Sequence, residues 1–169
     1  MDAFLAIASR REVRSYAERP LPDDVVRRIL EAGRVSGSSR NRQPWRFVVL
    51  DDELAKRAAE TVYAPANLRG AALVVAIAVR GGGPVAFDAG RAAQNMMLAA
   101  WNDGVGSCPN GVADHDALAR LLELADDERV VILLSFGYPA RRVRPERRSP
   151  EAWLARADRK PFDEVVRRA

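Results

Sequence analysis

A chain of 169 residues, 48% hydrophobic and 30% charged, has the length and apolar content for one globular domain, residues 1–169, with a substantial core. No run of about 18 uncharged apolar residues occurs, and the opening MDAFLAIASRR carries its charges on the wrong side for a signal peptide, so a cytoplasmic protein with no membrane partner is expected. The net charge of +4 is local: residues 141–169 hold ten basic and five acidic groups, leaving about −1 on the other 140, whereas a nucleic-acid surface spreads its basic residues over a groove or sheet face.

In chain order, residues 2–9 place Phe4, Leu5 and Ile7 near one helical face. LPDDVVRRILEAGRV then sets Val25, Val26, Ile29 and Leu30 at helical spacing behind an acidic first turn. RFVVL (46–50) reads as a short strand, DDELAKRAAETVY as a helix, and AALVVAIAV (71–79) as a strand buried on both faces. AFDAGRAAQNMMLAAWNDG is a long, mostly apolar helix stopped at Gly104; DHDALARLLEL is another helix and RVVILLSFGY another buried strand. Helices alternating with buried strands predict an α+β fold, an α/β sandwich with a mixed central sheet flanked by helices. The tail from 141 to 169, rich in Arg and Pro, reads as an extended arm.

The pattern supplies no obvious acid/base machinery. There is no GxGxxG after a strand, no P-loop and no GxSxG elbow; the single cysteine, Cys108, cannot form an internal disulfide. The single histidine, His115, sits at a helix start rather than in a metal-ligand cluster, so no metal is expected. What stands out is three separated anion-friendly groups: SRREVR (9–14), SGSSRNRQPW (36–45) and RADRKP (156–161). Arg10 and Arg14 are four apart and would share one side of a continuing helical turn, with Arg11 adjacent, and guanidinium forks bind phosphate oxygens bidentately. Ser38, Ser39 and Asn41 supply hydroxyl and amide groups suited to a polyol or a heterocycle edge. These residues alone are equally compatible with a solvated helix end and a polar capping loop, or with a basic anion- or nucleic-acid-binding module that has no cofactor.

Taken together and in order, the stretches resemble the nitroreductase-like family of FMN-dependent oxidoreductases. The family's R-R-S-x-R-aromatic opening is matched by Arg10, Arg11, Glu12, Val13, Arg14, Ser15 and Tyr16. EAGRVSGSSRNRQPWRFVVL is similar to its S-x-S-S-x-N-x-Q-P-W segment, FDAGRAAQNMMLAAWNDGVGSCPNG to its central dimer helix and flavin-side turn, and VILLSFGYPA to its last core strand. The resemblance implies a nitroreductase-like fold, an obligate homodimer with the arm exchanged between subunits, FMN as cofactor, and NADH or NADPH as electron donor. It also implies a ping-pong transfer to small electron-poor acceptors such as nitroaromatics or quinones; a deazaflavin-precursor reductase or a dehalogenase-like enzyme on the same fold is the alternative.

Residue by residue, the resemblance assigns Arg10, Arg11, Arg156 and Arg159 to the FMN phosphate and Arg14 to the flavin's N1–O2 edge. Gly37, Ser38, Ser39 and Asn41 match contacts to the partner subunit's ribityl chain and ring. Pro109, Asn110 and Gly111 match the turn whose backbone N–H groups meet N5 and O4. No side chain is assigned as catalytic, since the flavin's N5 carries the chemistry. Trp45 and the Gln94–Met97 stretch read as packing. Three departures stand out: Glu12 replaces the motif's serine, Asn67 has no lysine three residues later, and too few residues precede the central helix for the substrate lid of longer members.

Overall fold

The run Leu73–Arg80, strand β2, decides the architecture. Its first seven residues are all buried, so both faces must be covered. A computed structural model, which describes residues 1–168, sets it within a four-stranded sheet of order β1-β2-β4-β3, with β1 at Trp45–Leu50, β3 at Gly106–Asn110 and β4 at Glu128–Gly137. Alternation divides the run between two cores. Val75, Ile77 and Val79 cluster with Ile29 of α2 (Asp23–Arg34), with Met96 and Ala100 of α4 (Val85–Asn102), and with Leu134 and Phe136. Val74 and Ala76 cluster instead with Leu50, Leu133, Ala58 of α3 (Asp52–Ala59) and Leu118 of α5 (His115–Leu121). Helical cover on both faces is why the strand reads as unbroken apolar sequence although its neighbours run antiparallel to it.

The fold is α+β, as the alternating pattern predicts. Its mixed character is slighter than expected: every pair of named strands is antiparallel, and the parallel component is a single bridge between Glu12 and Ser107 on the outer edge of β3. Strand β3 was hidden in a stretch that reads as a turn. Gly106-Ser107-Cys108-Pro109-Asn110 lacks alternation, and Pro109 has no N–H for a ladder; a strand at the end of the sheet order tolerates both. Trp45, expected as packing, is half-buried against the core and stacks on Phe47 with centroids 6.2 Å apart.

The chain divides into two compact units, residues 11–143 and residues 1–10 together with the chain from 144 onward. In the smaller unit α1 (Ala3–Ser9) is capped by Asp2, whose carboxylate accepts from the Leu5 N–H at 3.0 Å. Helix α1 packs with α6 (Pro150–Leu154), started by Ser149 and Pro150. Trp153 is buried and donates its Nε1–H to the Pro145 carbonyl at 2.8 Å, while Phe162 and Val165 of α7 (Phe162–Val165) are exposed. The arm is therefore partly helical rather than simply extended.

Helix α4 also differs from expectation. Its composition suggested apolar surface that one chain would struggle to cover, yet nine of its residues are buried within this chain, Met96, Met97, Ala100 and Trp101 among them. What remains exposed is a stripe of Phe87, Gly90, Arg91, Gln94 and Asn95. Close approach at β3 is tighter: a Cβ on Gly106 would lie 2.5–2.8 Å from the Val13 side chain. Gly106→Ala should thus cost about 1–3 kcal/mol, the range for overpacking, whereas Gly90→Ala, which meets open space, should stabilise α4 by a few tenths of a kcal/mol to about 1. Urea unfolding of the two variants checks the contrast.

Candidate functional site

The first anion-friendly group is not helical. Helix α1 ends at Ser9, and Arg10 leaves it with ψ 135°, its N–H still bonded to the Ala6 carbonyl. Residues 11–14 then run alongside β3, with the Val13 N–H donating to the Ser107 carbonyl at 3.0 Å. Arg10 and Arg14 therefore do not share a helical face; the edge of β3 captures the backbone that a further helical turn would have used. Arg14 is exposed, Arg11 half-buried, and Glu12 exposed at its bridge to Ser107.

Strand β3 carries this segment directly to the 109–111 turn. Asn110 is buried, and its Nδ2 donates to the Cys108 carbonyl at 2.9 Å and to Ser135 Oγ at 3.1 Å. Its amide nitrogen is thus committed to holding the strand end. Two buried oxygens beside this group, Asn110 Oδ1 and Ser107 Oγ, have no hydrogen-bond partner. Gly111 is exposed; a Cβ there would come within 3.2 Å of the Tyr63 ring, and the Tyr63 N–H donates to the Gly111 carbonyl at 3.2 Å. Tyr63, 79% exposed, is a residue that sequence reasoning missed. Its only signal was an aromatic just past a helix, and the Val62–Val112 bridge that brings it to the turn is a long-range pairing.

The second anion-friendly group, residues 36–45, is anchored elsewhere, on α4 and the end of α2. Ser36 Oγ donates to the Ala32 carbonyl at 3.0 Å and accepts from Asn95 Nδ2 at 2.7 Å. A Cβ on Gly37 would fall 2.6 Å from Arg91 Nη2, so the exposed guanidinium end of Arg91 lies close over this part of the loop. Ser38 Oγ accepts from the Gln43 N–H at 2.8 Å, and the Ser39 N–H donates to Asp88 Oδ2 at 3.0 Å. Between these anchors Arg40, Asn41 and Gln43 all have left-handed backbone, with φ of 52°, 55° and 48°. Such conformations cost on the order of 1 kcal/mol each and persist only where the surroundings enforce them. Asp88, only 3% exposed, is the second missed residue; the sequence showed it merely as an acid in a helix's first turn.

The remaining arginines belong to the smaller unit. Arg159 Nη1 donates to the Ala157 carbonyl at 2.6 Å, and Arg156 is exposed. The structure thus brings residues 11–14 and 109–111 together along one strand and sets 37–41 on a different element. Among the described residues no cluster of His, Cys, Asp and Glu could hold a metal ion. Because Asp88 is the buried anchor of the strained loop, Asp88→Ala should destabilise the fold by about 1–3 kcal/mol and speed amide exchange at Ser39. Asp88→Asn, which keeps an acceptor oxygen, should lose less; equal losses would place the effect outside this hydrogen bond.

Comparison with known proteins fits this geometry. The nitroreductase family model matches residues 7–80 and 63–138. An Archaeoglobus fulgidus protein whose name joins NADH dehydrogenase with NAD(P)H nitroreductase is 31% identical over 144 residues, 79% of this chain and 83% of its own. The NADH dehydrogenase of Thermus thermophilus is 27% identical, with 89% and 93% covered. A Desulfovibrio desulfuricans protein, solved as a nitroreductase in complex with FMN, superposes with a TM-score of 0.82 at 28% identity, covering 100% of this chain and 98% of that one. With the family model spanning most of its length and its cation-bearing segment laid along the strand that leads to the 109–111 turn, the chain belongs to the nitroreductase family.

Proposed function

We propose that this protein is an FMN-dependent oxidoreductase that takes electrons from NADH or NADPH and passes them, in ping-pong order, to a small electron-poor acceptor such as a nitroaromatic or a quinone. The observation that carries the reading is the pairing of Val13 with Ser107, which sets a cationic segment and an exposed backbone turn at one sheet edge. The donor set fits FMN: guanidinium groups for a dianionic phosphate, backbone at Gly111 free of any side chain, and a hydroxyl- and amide-bearing loop for a polyol.

FMN, when bound, supplies hydride acceptance and delivery at N5. Everything else falls to the chain. Arg11 would hold the phosphate, with Arg10, Arg156 and Arg159 supplying further positive charge. Arg14 would place a fixed cation at the ring's N1–O2 edge, where negative charge collects on reduction, and so favour the reduced state. The backbone of Pro109, Asn110 and Gly111 would orient the opposite edge, with Asn110 locked inward by its own hydrogen bonds. Only Gly81–Pro84 link β2 to α4, so no lid covers the ring and one open face would serve donor and acceptor in turn.

The working unit in this reading is a homodimer with the arm from 141 exchanged between subunits. The loop that bears Gly37, Ser38, Ser39 and Asn41 is tied to α4 by the Ser39–Asp88 and Ser36–Asn95 hydrogen bonds rather than to β3, an arrangement suited to serving a neighbour's ring. Beside that loop lies the exposed stripe of Phe87, Gly90 and Gln94. Among the described residues no helix is long and apolar enough to cross a membrane, in keeping with a cytoplasmic enzyme.

If the arginines have these roles, Arg10→Ala and Arg159→Ala should each weaken FMN binding by about 1.5–3 kcal/mol, the range for a charge-assisted hydrogen bond, as read by fluorescence quenching. Arg14→Gln should leave FMN mostly bound but lower its midpoint potential and slow reduction by NAD(P)H, because the lost contact is stronger in the reduced state. Unchanged affinity in both alanine variants would sink the phosphate assignment, and an unaltered potential would remove Arg14 from the ring.

A further inference from the structure

A buried chain of hydrogen bonds joins the 109–111 turn to the segment that bears Arg14, and the flavin reading so far employs only its Asn110 end. Asn110 Nδ2 donates to Ser135 Oγ at 3.1 Å. Ser135 Oγ lies 2.9 Å from the Tyr16 hydroxyl and 3.3 Å from the Cys108 carbonyl. The Tyr16 O–H donates to the Val13 carbonyl at 2.8 Å. Asn110 and Ser135 are 3% and 0% exposed, so the chain is shielded from competing water.

Its polarity is set by its ends. The Asn110 amide nitrogen can only donate and the Val13 carbonyl can only accept; the Tyr16 proton meets the Val13 carbonyl at 2.8 Å and, farther off at 3.2 Å, the Ser135 carbonyl, while the Ser135 proton is available to Tyr16 or to the Cys108 carbonyl. Burial pushes the Tyr16 phenol well above the ordinary tyrosine value, against a smaller downward pull from the Ser135 hydrogen bond. Cys108 and Glu12 add to the rise and Arg14 opposes it. The hydroxyl therefore keeps its proton throughout the neutral range. The ring itself is clamped: a Cβ on Gly137 would come within 2.8 Å of it, and Tyr16 bridges to Pro139 in the chain just past β4.

We propose that Tyr16, acting through Ser135 and Asn110, is a positioning residue that fixes Val13, and with it Arg14, at a set distance from the 109–111 turn. A guanidinium at one edge of a flat conjugated ring and backbone donors at the other are effective only when their separation matches the ring, and the two come from segments that are far apart in sequence. The backbone bond from Val13 to Ser107 fixes where along β3 the segment lies. Further along, the backbone is tied again where the Ala140 N–H donates to the Ser15 carbonyl at 3.0 Å and the Ala17 N–H to the Tyr138 carbonyl at 2.8 Å, and the side-chain network holds the Val13 carbonyl between these attachments. The proposal rests on the flavin reading above.

Tyr16→Phe removes the hydroxyl and keeps the ring on Gly137. Amide exchange at Val13 should become about tenfold faster with or without FMN. In the FMN-loaded protein the midpoint potential should shift downward while FMN affinity stays within about threefold, since the phosphate contacts lie elsewhere. Ser135→Ala should reproduce both effects, and the double variant should add little to either, because the two hydroxyls act in series. Should Tyr16→Phe fail to fold, Ser135→Ala carries the same readouts. Native exchange at Val13 overturns the link between network and segment, and faster exchange with an unchanged potential overturns the link between segment and ring. Failure of the unaltered protein to take up FMN overturns the reading beneath, a result distinct from both.

Discussion

The site depends on one edge contact, the hydrogen bond from the Val13 N–H to the Ser107 carbonyl. Neither partner is chemically unusual. Its effect is topological: the chain before Arg14 is caught on the free edge of β3, three residues before that strand ends at Asn110, so cations and the exposed backbone of Gly111 become neighbours. Gly106 is what allows the approach, because any side chain there would occupy the space of Val13. Core packing supports this edge from behind. Phe136 and Ser135 of β4 pair with Ser107 and Cys108, and β4 is held in turn by the fully buried β2.

Most of the fold was legible because its elements are locally consistent. The long apolar run of β2, the amphipathic α2 with two acids in its first turn, and α4 with Gly104 at φ 74° just beyond its end each match a strong local preference. What escaped was whatever depends on partners distant in sequence. Strand β3 contains Gly and Pro and owes its conformation to β4 on one edge and the Glu12–Val13 segment on the other, so no window of its own sequence announces it. The helical placement of Arg10 and Arg14 failed for the same reason, since i and i+4 spacing says nothing about a sheet edge waiting alongside. Helix α4 looked too apolar for one chain because composition cannot show how much of it the core on its side of the sheet will cover.

The candidate site was legible as a set of residues but not as an arrangement. Motif order located Arg11, Arg14 and the Gly37–Asn41 loop, and the structure adds how they are held. Ser38, Ser39 and Gly37 proved to be engaged with Gln43, Asp88 and Arg91, and the loop's three left-handed residues mark it as enforced rather than merely polar. Buried polar groups such as Asp88 and the Tyr16–Ser135–Asn110 chain give no sequence signal beyond their identities, yet they determine whether the exposed groups meet a ligand at the right separation.

The two halves of the donor set also sit on different elements: cations and turn on β3, loop on α4. In the proposed homodimer that division would let a cofactor be shared between two chains and would tie flavin binding to association. Sedimentation velocity followed at the flavin's visible absorption band tests this most directly. The account expects the flavin signal to travel only with a species of two chains carrying two FMN, and to disappear from the protein when dilution separates the chains. A single chain that sediments with bound FMN, or a two-chain species that carries none, would contradict it.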